Sequence, residues 1–174
     1  TSNNGSVEVS NLTSSNNVVI NSENGKTTIN TANVTGNLTT DTNELEVLNK
    51  LTVTGTANLT TAGALTVGTG EFKDITINSD SADITSLKST GEANLTTAGA
   101  LTLGTGDFVG VTINSGSANI TNVKATGEAN ITTTGDLTVG TGNFAKVTIT
   151  SNNGSVEVSN LTSSNNVVIN SENG

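Results

Sequence analysis

Two acidic pairs come nearest to a constellation that could do chemistry, Glu44/Glu46 and Asp80/Asp83. Glycan-cleaving enzymes need paired carboxylates in a groove, one protonated and one ionised. Glu44 and Glu46 alternate with Leu45 and Val47, so the period of a strand turns both carboxylates outward and both apolar side chains inward. Asp80 and Asp83 lie beside the turn Asn78-Ser79-Asp80-Ser81 and offer the oxygen ligands that calcium takes, but the GGxGxD pattern of calcium β-rolls is absent. Neither pair is expected to be a catalytic or metal site. The GTG strings at 68–70, 104–106 and 140–142 follow strands as phosphate loops do, yet no helix and no Gly-Lys-Ser/Thr follows, so they are expected to be turns. Asn58-Leu59-Thr60, Asn94-Leu95-Thr96 and Asn130-Ile131-Thr132 are candidate glycosylation sites, with further matches at Asn11, Asn33, Asn37, Asn119 and Asn160. Most such matches follow from the abundance of Asn and Thr.

Composition withholds the usual carriers of catalysis. The chain has 174 residues and no His, Cys, Arg, Met, Trp, Tyr or Pro. Acid–base relays, thiol chemistry, zinc sites and phosphate clamps have little to work with, and no enzyme activity and no cofactor are expected. Without Cys there is no disulfide scaffold, which leaves the compartment open. Six Lys against fifteen acidic residues give a net charge of −9, which disfavours nucleic acid and anionic membranes as partners. No apolar run approaches the roughly 18–20 residues of a membrane-spanning helix, and no membrane insertion is expected.

Repetition dominates everything else. Residues 150–174 repeat residues 1–25 letter for letter, a period of 149. Within it lies a 36-residue repeat at 55–90, 91–126 and 127–162, whose third copy matches as far as Thr150. The three aromatics, Phe72, Phe108 and Phe144, share that spacing of 36. Finer still, apolar-x-apolar triplets start at 18, 38, 57, 75, 93, 111, 129, 147 and 167, in steps of 18 to 20. The steps sum to 149, so one large period holds eight steps.

These periods dictate the elements. Apolar and polar residues alternate within each step, as in Ala57-x-Leu59, Leu65-x-Val67 and then Phe72, with Gly-rich or polar turns between. Thr, Val and Ile abound, and apolar residues do not recur at helical spacing. The prediction is an all-β parallel right-handed β-solenoid with three short strands per coil of about 18–20 residues, and roughly nine coils in one continuous segment spanning residues 1–174. Phe72, Phe108 and Phe144 are expected inward, at a corner of every second coil. Outward, stacking gives one column Asn58, Thr76, Asn94, Thr112, Asn130, Thr148 and another Thr60, Asn78, Thr96, Asn114, Thr132, Thr150. A further Thr ladder is expected at Thr66, Thr102 and Thr138.

A single coil buries too few apolar side chains to offset the ordering of its backbone, so stability must be collective. No polar cap, helix or Pro marks either end of the sequence, which predicts continuation or end-to-end stacking with self as partner.

The strings GALTVGTGEF (63–72), GDLTVGTGNF (135–144) and VTINSGSANIT (111–121) resemble repeat regions of filamentous-haemagglutinin-type exoproteins and other giant bacterial β-solenoid adhesins. The resemblance is one of rhythm and composition over essentially the whole chain. It implies a secreted bacterial protein at the cell surface or in an extracellular matrix, in which such repeats form the shaft and adhesive modules sit elsewhere. The chain is thus expected to be a structural segment of a long extracellular fibre. The alternatives are an ice-binding Thr-ladder solenoid and a carbohydrate-active β-helix enzyme.

Overall fold

The structure, a computed structural model, describes residues 5–173, the side chain of Glu23 excepted. Ten strands form one parallel sheet that winds into a β-solenoid of about nine coils: β1 (Val7–Ser14), β2 (Val18–Val34), β3 (Leu38–Thr61), β4 (Ala64–Ser79), β5 (Ser81–Thr97), β6 (Ala100–Ser115), β7 (Ser117–Thr133), β8 (Leu137–Ser151), β9 (Val156–Ser163) and β10 (Val167–Ser171). Neighbours follow sequence order from β1 to β8, because each coil pairs with the next, and β9 and β10 both pair with β8. No helix occurs among the described residues.

Most of these strands are longer than a single face because they bend without losing the ladder. In β4 the pairing with β5 runs in three pieces, Ala64–Val67, Thr69–Phe72 and Ile75–Ser79. These are the three short strands of a coil. The first face carries the apolar triplets: Ala57 pairs with Ile75, Ile75 with Ala93, Ala93 with Val111, and Val111 with Ala129. The second face carries Leu65 and Val67, and the third Gly70 and Phe72.

Alternation sorts inside from outside. Leu59, Leu65, Val67, Ile75, Ile77 and Ile84 are buried, while Asn58, Thr66 and Asp83 between them are exposed. The core is one column of such side chains running from Ile20 to Ile149.

Why the repeat is 36 and not 18 emerges at the corners. Along the second face Ala64 pairs with Ser81, 17 residues on, and Ala82 with Leu101, 19 on. The first face keeps a constant step, Ile75 to Ala93 and Ala93 to Val111, each 18. A residue gained at the corner between first and second faces is lost at the corner between third and first. Phe72 is followed after three residues by Ile75, whereas Ser89 is followed after four by Ala93. Two coil types therefore alternate.

The core of the third face alternates with them. One inward column reads Phe72, Ser89, Phe108, Ala125, Phe144, and its neighbour reads Gly70, Leu87, Gly106, Val123, Gly142. A large residue in one column always sits beside a small one in the other. Phe72, Phe108 and Phe144 are 4%, 1% and 2% exposed, and each lies at the corner leading to the first face.

Candidate functional site

The corners explain what glycine does here. Gly68, Gly104 and Gly140 lie unpaired between the second and third faces, as turn residues do. Gly70, Gly106 and Gly142 do not. They are buried ladder positions, Gly70 pairing with Leu51 and Leu87. The reading of the GTG strings as turns is thus corrected for their second glycine. A Cβ on Gly106 would lie 2.9 Å from Cζ of Phe108, nearer still to its Cε2, and 3.1 Å from Cδ2 of Leu103. The second glycine exists to admit the aromatic ring two residues later.

Corner hydroxyls form a second device that the sequence pattern does not announce. Thr61, Thr97 and Thr133 point into the core, and their Oγ1 atoms donate to the carbonyls of Gly63, Gly99 and Gly135 at 3.1, 3.3 and 2.8 Å. Ser79 and Ser115 occupy the same column in the alternate coils, where the corner is one residue shorter and their buried Oγ atoms find no partner. The signal available in sequence was the alternation of Thr and Ser in steps of 18.

Outward, the first face carries the two Asn/Thr columns in unbroken register, Asn58 on Thr76 on Asn94 and Thr60 on Asn78 on Thr96. From Asn58 to Thr132 each coil presents either Asn-x-Thr or Thr-x-Asn, so this stretch is a chequerboard of amides and hydroxyls, and the alternation ends at Thr148-x-Thr150. The sequon residues Asn58 and Asn94 stand exposed on it, while Asn130 is half-buried beside Glu128. Asn11, Asn33, Asn37, Asn119 and Asn160 are exposed as well.

The second face needs a correction. Thr66 pairs with Asp83, Asp83 with Thr102, Thr102 with Asn119 and Asn119 with Thr138. Thr66, Thr102 and Thr138 are therefore two coils apart, about 9.6 Å at the usual strand spacing. They do not form a continuous Thr ladder, because a spacing of 36 spans two coils rather than one.

The acidic pairs are dispersed. Glu44 and Glu46 are outward beside the buried Leu45 and Val47, and Glu46 accepts an ion pair from Lys26 in the preceding coil at 2.7 Å. That contact holds the Lys26 ammonium above its ordinary range. Asp80 sits exposed at a corner and Asp83 in the second-face column. No group of three or more His, Cys, Asp or Glu residues converges among the described residues.

Charge instead serves to tie coil to coil. Lys50 meets Glu71 at 2.7 Å and Lys146 meets Glu128 at 2.9 Å, the latter holding the Glu128 carboxyl below its usual range. On the third face Glu71, Lys88, Asp107 and Lys124 stack with alternating sign. Solvent and salt screen such exposed pairs, so they set register more than stability. Asp136 reaches into the last coil, accepting from the Ser155 backbone N–H and from its hydroxyl, both at 2.9 Å.

The last coil is open. β9 and β10 pair on one side with β8, and no described strand covers their other side. Val167, Val168 and Ile169 are 42%, 44% and 47% exposed. No helix among the described residues is long and apolar enough to cross a membrane. Comparison with known proteins finds no matching family model, no matching curated protein and no matching solved structure.

Proposed function

We propose that this chain is a structural repeat segment of a long extracellular fibre, the shaft of a giant surface adhesin or a surface or matrix filament, without enzymatic activity. The supporting observation is the coil stack itself. It combines a continuous apolar core, alternating Asn/Thr surface columns and the ion pairs Lys26–Glu46, Lys50–Glu71 and Lys146–Glu128 between neighbouring coils. Those features deliver length and stiffness, and they spend the outward residues on uniform polar columns instead of converging them on one spot. The extracellular placement and the bacterial source rest on the resemblance of the repeat strings to haemagglutinin-type shafts in rhythm and composition alone. Its partner on this reading is self, with glycans as the decoration open to Asn58 and Asn94.

The test is made on intact source cells. Antibodies raised against the folded chain are expected to decorate filaments outside unpermeabilised cells, visible by immunogold electron microscopy. Labelling confined to lysed cells, with the protein behaving as a compact soluble particle, would overturn the reading.

A further inference from the structure

The two identical segments let one end of the molecule report what the other end lacks. β1 spans Val7–Ser14 and β9 spans Val156–Ser163, the same residues one period of 149 apart, and each shows the same alternation of half-buried and exposed positions. β2 starts at Val18 and β10 at Val167, again one period apart. Residues 1–4 and Gly174 lie outside the described residues.

The neighbours differ. The N-terminal copy is covered on its following side: Val7 pairs with Thr27, Leu12 with Ala32, Val18 with Leu38 and Ser22 with Thr42. The C-terminal copy is covered on its preceding side: Val156 pairs with Leu137, Leu161 with Gly142 and Val167 with Val147. One sequence thus accepts a coil on each side. The side open in the last coil is the side already filled in the first. Filling it matters to the same side chain: Ile20, under a following coil, is 8% exposed, and its equivalent Ile169, with none, is 47% exposed.

We infer that the open edge formed by residues 154–171 is a docking site for one occupant, a coil with the sequence of residues 26–42 supplied by a following copy of the 149-residue unit. Its register is given by the first coil. Val156 and Leu161 take the equivalents of Thr27 and Ala32, and Val167 to Ser171 take those of Leu38 to Thr42. Every coil-to-coil interface of an endless tandem is then already present in this molecule, so the junction between units carries no special contact. The inference deepens the fibre reading by naming the partner and register of the edge, but it rests on the fold and not on an extracellular location.

The experiment compares the full chain with a longer one in which residue 174 is followed directly by a second copy of residues 26–174. Hydrogen exchange is read at the amides of Val156–Ser171. In the longer chain the edge-facing amides among these are expected to slow by at least about tenfold, toward the rates of Val18–Ser22. A companion chain carries Ile169→Lys, which places a charge where the incoming coil packs, and is expected to lose that slowing while the coils before Ser151 stay protected. Unchanged exchange across Val156–Ser171 in the longer chain overturns the inference, whether the added unit folds apart or fails to fold. So does equal protection with and without Ile169→Lys. Antibody labelling of cells bears only on the fibre reading, so the two can fail separately.

Discussion

Gly106→Ala isolates the packing rule of the third face. Among the described glycines none has a positive φ, so alanine meets no backbone strain and the effect is steric. The new methyl would sit 2.9 Å from Cζ of Phe108, closer to Cε2, and 3.1 Å from Cδ2 of Leu103. Phe108 is 1% exposed and boxed by neighbouring coils, so its ring has little room to withdraw. Overpacking of this kind costs about 1–3 kcal/mol. Reduced freedom of the unfolded chain returns about 0.4–1 kcal/mol. A net loss of about 1–2 kcal/mol is expected. In a Phe108→Leu background the edge of the ring is gone and most of the steric cost with it, while the unfolded-chain gain is the same in both backgrounds, giving a coupling energy of about 1–3 kcal/mol in a double-mutant cycle. Gly99→Ala is the control, because its methyl would meet only the Asp80 carbonyl, at 3.1 Å. Native-state hydrogen exchange of third-face amides reads the local free energy in each variant. If Gly106→Ala costs the same with and without the Phe108 ring, the complementary-column argument is wrong.

Two further outcomes follow from the ladder and from its corners. Ile113→Pro removes a donor from a strand held on both sides by Leu95 and Ile131, at a cost of about 3 kcal/mol or more, and limited proteolysis should then cut in that coil where the parent resists. Acidification should loosen the last coil. The Ser155 backbone and hydroxyl bonds hold the Asp136 carboxyl below its ordinary 3.8, so its contribution is present above that value and is lost as pH falls through the lower folded one. Protection over Ser155–Ser163, with the intrinsic pH dependence of amide exchange divided out, should therefore fall below about pH 4 and do so less in Asp136→Asn, whose amide oxygen still accepts the bond.

The coil column was legible from residue spacing because one inward triplet per coil is a strict demand. Ala57, Ile75, Ala93, Val111, Ala129 and Val147 stack as their steps of 18 imply. What escaped is whatever depends on phase between faces. The first face steps by 18, while the second steps by 17 and then 19, and nothing in the triplets reveals that two corners trade a residue. The same blindness made Thr66, Thr102 and Thr138 look adjacent. Gly70 read as a turn because two glycines so close together after a strand, Gly68 and Gly70, commonly mark one, and only the buried ring of Phe72 shows that it is a recess. The register that Ile169 offers escaped as well, since it is read from the pairing of its equivalent, Ile20, with Thr40.

Alternation of two coil types imposes a parity on how such a chain can lengthen or shorten. Removing one coil between residues 55 and 162 would bring Phe72 directly against Phe108 and Gly70 against Gly106, crowding one column and hollowing the next. Removing two restores the alternation of large and small residues in both columns. Recombination between these repeats is thus tolerated in steps of 36 residues and penalised in steps of 18, so variation in copy number should come in pairs of coils, as though the molecule counted only even numbers.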